Sequence, residues 1–333
     1  MRVGLALPHY DFSLPGGGPI TFERTAAWAT RAEGLGFESL WVSDHLVYSL
    51  SRYGLGEQLF GSLEPLTLLA GLATSTTRAR LGTLVLGAAL RPAAVLAKSA
   101  AAIDLFSGGR LELGLGAGWY EDEFVRFGYG FGSVGERFSL LEETVEALDG
   151  LLRGGPVTFD GDHVRLSEAF NHPAPIQRPR PPIWVGAKGG DRALRLAARH
   201  ADGWNTVWRW SIAGYGERVR RAREICEEEG RDPATLGLSL GLYTVVGEDR
   251  ADLEARWERM GAWMPGAAVE PLDGFARDTL TGTVPQVLDR LSAFAELGVA
   301  EIIMSPAPLP FAIPDTGMVE LISEAVLPEA REL

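Results

Sequence analysis

Gly108-Gly-Arg-Leu-Glu-Leu-Gly-Leu-Gly-Ala-Gly-Trp119 reads as a turn, a short apolar strand over residues 111–115, and a glycine-rich loop closed by a tryptophan. Gly114, Gly116 and Gly118 remove side chains at alternate positions where the strand runs out. Backbone can then come close to a flat or anionic ligand, and φ can turn positive without strain. A tight turn with no ligand is the plainer reading, but so many glycines are costly to order, which favours a site. The spacing is Gly-x-Gly-x-Gly, without the two-residue gap of a dinucleotide fingerprint, and it follows the fourth strand rather than the first. A strand that empties into such a loop is where α/β proteins place their sites.

Strand and helix signals alternate outward from this point. Upstream come a strand over 3–7, a helix N-capped by Thr21 and stopped near Gly34 and Gly36, and a strand over 39–42. A helix over 64–76 leads to a strand over 79–86, and Pro92 opens an alanine-rich helix running to about Phe106. Downstream, Phe138, Leu141, Val145, Leu148 and Leu152 keep a helical spacing over 134–152. Strands are expected over 181–186, 202–205, 238–246 and 301–304, with a helix from about Gly190. Ala32-Glu-Gly-Leu-Gly-Phe-Glu-Ser-Leu-Trp-Val-Ser43 is echoed by Ala295-Glu-Leu-Gly-Val-Ala-Glu-Ile-Ile-Met-Ser305, as a repeated αβ unit would produce, although Leu-Gly at helix ends is common enough for chance to give the same. Eight strands separated by helices predict an α/β fold, a (β/α)8 TIM barrel forming one domain over residues 1–333. Insertions are expected near 155–180, with a hairpin turning at Asp160-Gly161, and near 206–280, where 261–281 reads as an excursion over the barrel top.

Composition narrows the function. The 333 residues are 46% hydrophobic and 23% charged, ordinary for a soluble enzyme, with a formal charge of −13. That charge argues against nucleic acid, whose phosphates need clustered Lys and Arg, but not against a small anion held by backbone amides. No apolar run has membrane-spanning length, and the first residues carry no secretion-signal pattern. With Cys226 as the single cysteine, in an acidic helical setting, the reading is an inert thiol in a cytoplasmic protein.

Candidate site residues cluster where strands end. Asp44 and His45 follow the second strand; a histidine can pass a proton near neutral pH and a neighbouring acid can orient it, although a rim histidine capping a loop is an equal alternative. Gly186, Ala187, Lys188 and Gly189 lie between a strand and a helix, where free amides and one lysine make an anion pocket. Trp204 and Trp208 follow the sixth strand and suit a flat apolar substrate, or else core packing. His9 ends the first strand and is a further candidate for the pocket. The histidines show no metal-ligand spacing.

These stretches together resemble the luciferase-like oxidoreductases, which use a flavin or the deazaflavin coenzyme F420. The resemblance is carried by Leu35-Gly-Phe-Glu-Ser-Leu-Trp-Val-Ser-Asp-His45, Glu64-Pro-Leu-Thr-Leu-Leu69, Leu81-Gly-Thr-Leu-Val85 and the Ser107–Trp119 stretch. Glu123-Phe124, Arg137 with Leu141-Glu-Glu143, and Pro181-Pro-Ile-Trp-Val-Gly186 add to it. It implies a barrel that is often a homodimer, with a ring-shaped cofactor across its mouth. It places a non-proline cis peptide near Leu84 and Val85, cofactor contacts along Gly116, Ala117, Gly118 and Trp119, a phosphate at residues 186–189, and ring contacts at Asp44 and His45. Members that oxidise sugar phosphates carry a glutamate where this chain has Trp119. Trp119, Tyr120 and the later tryptophans therefore fit a more apolar substrate. The expected activity is hydride exchange between F420 and a small organic molecule, with His45 handling a proton and Asp44 orienting it. A monooxygenase using reduced FMN and oxygen is the near alternative, and a non-catalytic cofactor-binding barrel the remote one.

Overall fold

The computed structural model describes residues 1–264 and 270–333. Eight parallel strands form a closed ring: β1 Arg2–Ala6, β2 Ser39–Val42, β3 Arg80–Thr83, β4 Leu111–Gly116, β5 Ile183–Gly186, β6 Gly203–Trp208, β7 Gly237–Gly247 and β8 Glu301–Ser305. Pairing of β8 with β1, Glu301 opposite Arg2, closes it. Helices cover the outside, among them α1 Phe22–Leu35, α2 Pro65–Ser75, α3 Ala93–Ser107, α4 Val134–Leu152, α5 Asp191–His200, α6 Ile212–Glu228, α7 Arg250–Trp263 and α8 Val284–Glu296. The strands are buried nearly throughout, as parallel strands sheltered by helices must be. Among the described residues no helix is long and apolar enough to cross a membrane.

Local sequence sets the helix ends. The Thr21 hydroxyl accepts from the Arg24 N–H, and Gly36 ends α1 with φ of 96°. The echo of that helix end recurs at Gly298, with φ of 92°, and both copies lead into strands that flank β1. Ser133 and Glu136 form a reciprocal capping box at the start of α4.

Several expectations need correction. The third strand does not run unbroken to residue 86: it stops at Thr83, the Leu84–Val85 peptide is cis, and Leu86–Gly87 then pairs with Leu115–Gly116. The sixth strand is longer than expected, reaching Trp208. Within the expected excursion over 261–281, residues 265–269 lie outside the described residues, and Leu280–Thr283 is a strand extending the sheet beside Thr244–Gly247. A small hairpin of Val47–Ser49 and Leu59–Gly61 after β2 was not expected from the sequence. The predicted hairpin in the first insertion is present as Val157–Asp160 and Arg165–Ala169.

At the N-terminal end the barrel holds a charged layer. Glu112 accepts from Arg2 at 2.8 Å, from the Trp184 indole at 2.8 Å and from Arg80. The Glu301 carboxyl, fully enclosed, accepts from Ser39 and from Arg2 at 3.3 Å. Burial, with Glu112 close by, pushes the Glu301 carboxyl up to about 7. The strands' other ends are left to build the site.

Candidate active site

A cavity of 1130 Å³ opens at the C-terminal ends of the strands. A typical pocket for one small ligand measures about 300–1,000 Å³. The space therefore exceeds what one such molecule needs. Its wall includes Asp44, His45, Leu84, Val85, Gly116, Ala117, Gly118, Trp119, Gly186, Ala187, Lys188 and Trp208. Twelve of the sixteen residues singled out from the sequence thus meet around one opening, although they come from five strand ends.

The glycines do something other than face a ligand directly. A methyl group on Gly116 would sit 2.7 Å from a Val85 Cγ, and one on Gly186 would sit 2.6 Å from the other. Gly114, buried deeper in β4, likewise makes room for Val85 and for the Thr83 carbonyl. Glycines on two neighbouring strands form a cradle that holds Val85 at the cavity wall. Gly118, at φ of 77°, turns the chain back so tightly that a side chain there would meet Phe124 at 2.8 Å. That turn carries the short helix Glu121–Arg126 over the barrel mouth.

Glu123 arrives on this helix and changes the expected roles. Its Oε1 bonds His45 Nδ1 at 2.9 Å, and its Oε2 accepts the Leu46 backbone N–H at 2.9 Å. Asp44 does not orient His45. Its two oxygens take the Arg91 guanidinium at 2.6 and 2.9 Å, and Oδ2 also accepts the Gly87 N–H at 2.9 Å. Arg91 reaches on to Glu64 at 2.6 Å, so burial of the guanidinium is offset by two carboxylates that hold its proton firmly. Sequence neighbours at a strand end point to different sides; here Asp44 braces the segment after Val85, and His45 meets an acid from another loop. Glu123 and Arg91 were not among the candidates. The signal for Glu123 was its place in a helix that starts just past a tight glycine turn, close to a candidate histidine.

The His45 imidazole is enclosed by aromatics: Tyr48 at 4.8 Å, Trp119 at 5.5 Å and Tyr120 at 6.1 Å between ring centres. No protein group among the described residues bonds Nε2, and the ring lines the cavity. With Nδ1–H donated to the Glu123 carboxylate, Nε2 is the atom free to exchange a proton with a bound molecule.

Four candidates fall outside the wall. His9 is fully buried, donates Nδ1–H to the Leu7 carbonyl at 2.8 Å and accepts the Ser43 N–H at Nε2. Burial pushes it down to about 4, so it is a neutral, satisfied core histidine; its neighbour Tyr10 reaches the cavity instead. Trp204 is also fully buried. Trp204 faces the helix layer, stacked on Tyr215 with ring centres 5.5 Å apart and its indole N–H on the Ala187 carbonyl. Gly189, at φ of 79°, backs onto that Trp204 ring rather than onto the cavity. Tyr120 stands behind Trp119, its hydroxyl 3.4 Å from Asp122. Trp208 lines the cavity, stacked on Tyr243 and edge-on to Phe311.

Comparison with known proteins fits this geometry. The sequence profile of luciferase-like monooxygenases matches residues 1–301. The chain belongs to the luciferase-like monooxygenase family. Within it, the chain is similar to the F420-dependent hydroxymycolic acid dehydrogenase of Mycobacterium tuberculosis, 31% identical over 283 residues that cover 81% of this chain and 69% of the other. Two solved structures share the luciferase-like fold across nearly the whole length. An F420-dependent secondary alcohol dehydrogenase in complex with an F420-acetone adduct superposes with a TM-score of 0.78 at 20% identity, covering 99% of both chains. The EDTA monooxygenase of Chelativorans sp. BNC1 gives 0.81 at 16%, covering 100% of this chain and 94% of the other.

Proposed function

We propose that this chain is an F420-dependent oxidoreductase that exchanges hydride with a small, largely apolar organic substrate. The observation that carries the reading is the His45–Glu123 pair, which presents Nε2 into a cavity large enough for a coenzyme and a substrate together. Redox of an alcohol or ketone moves a hydride at carbon and a proton at oxygen, so the site needs a proton partner beside the coenzyme.

The residues present fit F420. Val85, seated between Gly116 and Gly186, offers a narrow apolar ridge for a flat ring. Residues 190–192 begin α5, and the first amides of a helix suit a phosphodiester. When bound, F420 supplies a two-electron hydride carrier. His45 Nε2 would take the proton of a substrate hydroxyl, or give it to a carbonyl oxygen in the reverse direction. Glu123 fixes the tautomer and supports the imidazolium. Asp44 and Arg91 hold the backbone at Gly87, beside the Val85 ridge. Leu84, Trp119, Trp208, Tyr243 and Phe311 exclude water and provide the apolar surface for the substrate. We read the chain as one catalytic domain, working as a cytoplasmic homodimer.

Titration with F420 and with FMN tests the reading, together with oxygen uptake during turnover. F420 binding and turnover without oxygen consumption are expected. Tight FMN binding with no F420 binding would replace the proposal with a reduced-flavin monooxygenase.

A further inference from the structure

The charges lining the cavity can be paired off one by one. Among the acids, Asp44 is held by Arg91, Glu123 by His45, Asp191 by Arg221 at 2.6 Å and Glu270 by Arg209. Among the cations, Arg192 is gripped by Glu142 through two bonds of 2.6 and 2.7 Å, and Arg209 also reaches Asp278 at 2.8 Å. Two cations of the wall are left over. Among the described residues, neither Arg52 nor Lys188 forms an ion pair with a carboxylate. A protein with a net charge of −13 therefore keeps two cations without a carboxylate partner at the mouth of its main cavity, both on solvent-exposed side chains.

Both cations stand on aromatic surfaces. The Arg52 guanidinium carbon lies 4.6 Å from the Trp119 ring centre, and Lys188 Nζ lies 5.4 Å from that of Trp210 while bonding the Val207 carbonyl. Trp119 in turn borders His45. Burial and then the nearby Arg52 guanidinium draw the Lys188 ammonium down, while Asp278 pulls weakly the other way. Both cations border the same cavity, and an anion bound there is attracted by each of them.

We propose that Arg52 and Lys188 form an anion-recognising pair that selects a substrate with a carboxylate or phosphate on an apolar body, one aromatic ring away from His45. The inference rests on the reading of the site as an F420 oxidoreductase and names its substrate class. The first amides of α5 serve the coenzyme, Lys188 stands just before them, and Arg52 approaches from the loop after β2 on the Trp119 side. Aromatic faces hold the body of the molecule and the two cations set its direction.

The test compares 2-naphthoate with the neutral 2-naphthalenemethanol by calorimetric titration, using F420-loaded wild type and the variants Arg52→Met, Lys188→Met and Arg52→Lys. Naphthoate is expected to bind wild type about tenfold tighter than the alcohol, with the preference falling to about twofold in either Met variant, partly kept in Arg52→Lys, and weakened by salt. Binding of F420, followed by its fluorescence, is expected to change less than about threefold in the Arg52 variants, because Arg52 lies outside the 186–189 segment assigned to the coenzyme phosphate. Equal affinity of acid and alcohol for wild type overturns the proposal. So does a loss of F420 affinity in the Met variants with the naphthoate preference intact, which would assign the pair to an anionic part of the coenzyme. Failure of wild type to bind F420 at all would instead refute the oxidoreductase reading, and the same naphthoate comparison on unloaded protein would still decide the anion pair. Thermal unfolding of each variant reports whether the fold is kept.

Discussion

Glu123 Oε1 lies 2.9 Å from His45 Nδ1, across 78 residues of sequence. Gly118 makes this possible by folding the helix that carries Glu123 back over the mouth of the barrel. The pair turns a rim histidine into an oriented proton carrier. His45→Ala is expected to lower turnover by about 10²–10⁴-fold while leaving F420 affinity within a small factor. Glu123→Gln should lower turnover less, since it keeps the hydrogen bond but loses the charge that supports an imidazolium. Steady-state kinetics beside F420 titration check both; unchanged turnover in His45→Ala removes it from the reaction.

The Val85 cradle makes a coupled prediction. Gly116→Ala places a methyl group against Val85, an overpacking that typically costs about 1–3 kcal/mol. Coenzyme affinity and stability should both fall. In Gly116→Ala with Val85→Ala the added methyl finds space, so part of the lost stability should return. A double-mutant cycle in urea would read this coupling, and purely additive effects would mean the two residues do not share the space.

Asp44 and Arg91 form a buried pair, with the Asp44 side chain fully enclosed. Asp44→Ala leaves a buried guanidinium with Glu64 as its remaining carboxylate partner, and a loss of about 3 kcal/mol is expected. Asp44→Ala with Arg91→Met should recover part of it. Denaturant midpoints test this, and a neutral Asp44→Ala would contradict the bracing role.

Glu301 makes stability depend on pH. Its folded carboxyl is raised to about 7 from an ordinary value of 4.5, so the folded protein binds this proton more tightly than the unfolded chain. The proton's contribution to stability is complete below about 4.5 and is lost as pH rises towards 7. Glu301→Gln, which mimics the protonated form, should flatten that part of the profile. Urea midpoints between pH 5 and 8 are the measurement, and an unchanged slope in Glu301→Gln would assign the dependence to another group.

The sequence by itself determined the barrel, because the alternation of apolar strands and amphipathic helices is a local property written in Leu111 to Leu115, Phe138 to Leu152 and the repeated Leu-Gly helix ends. It also determined where the cavity lies, since strand ends in this fold converge on one face and carry Asp44, His45, Trp119 and Lys188 there. Tertiary structure alone decided which groups act on each other. Whether Trp204 faces a ligand or a helix depends on a core that only the closed ring defines. Whether Asp44 or Glu123 serves His45 depends on how far a glycine turn swings a loop, and whether Arg52 is free depends on which carboxylates other strands have already claimed. Periodicity is set by neighbours in the chain, whereas pairing of charges is set by neighbours in space.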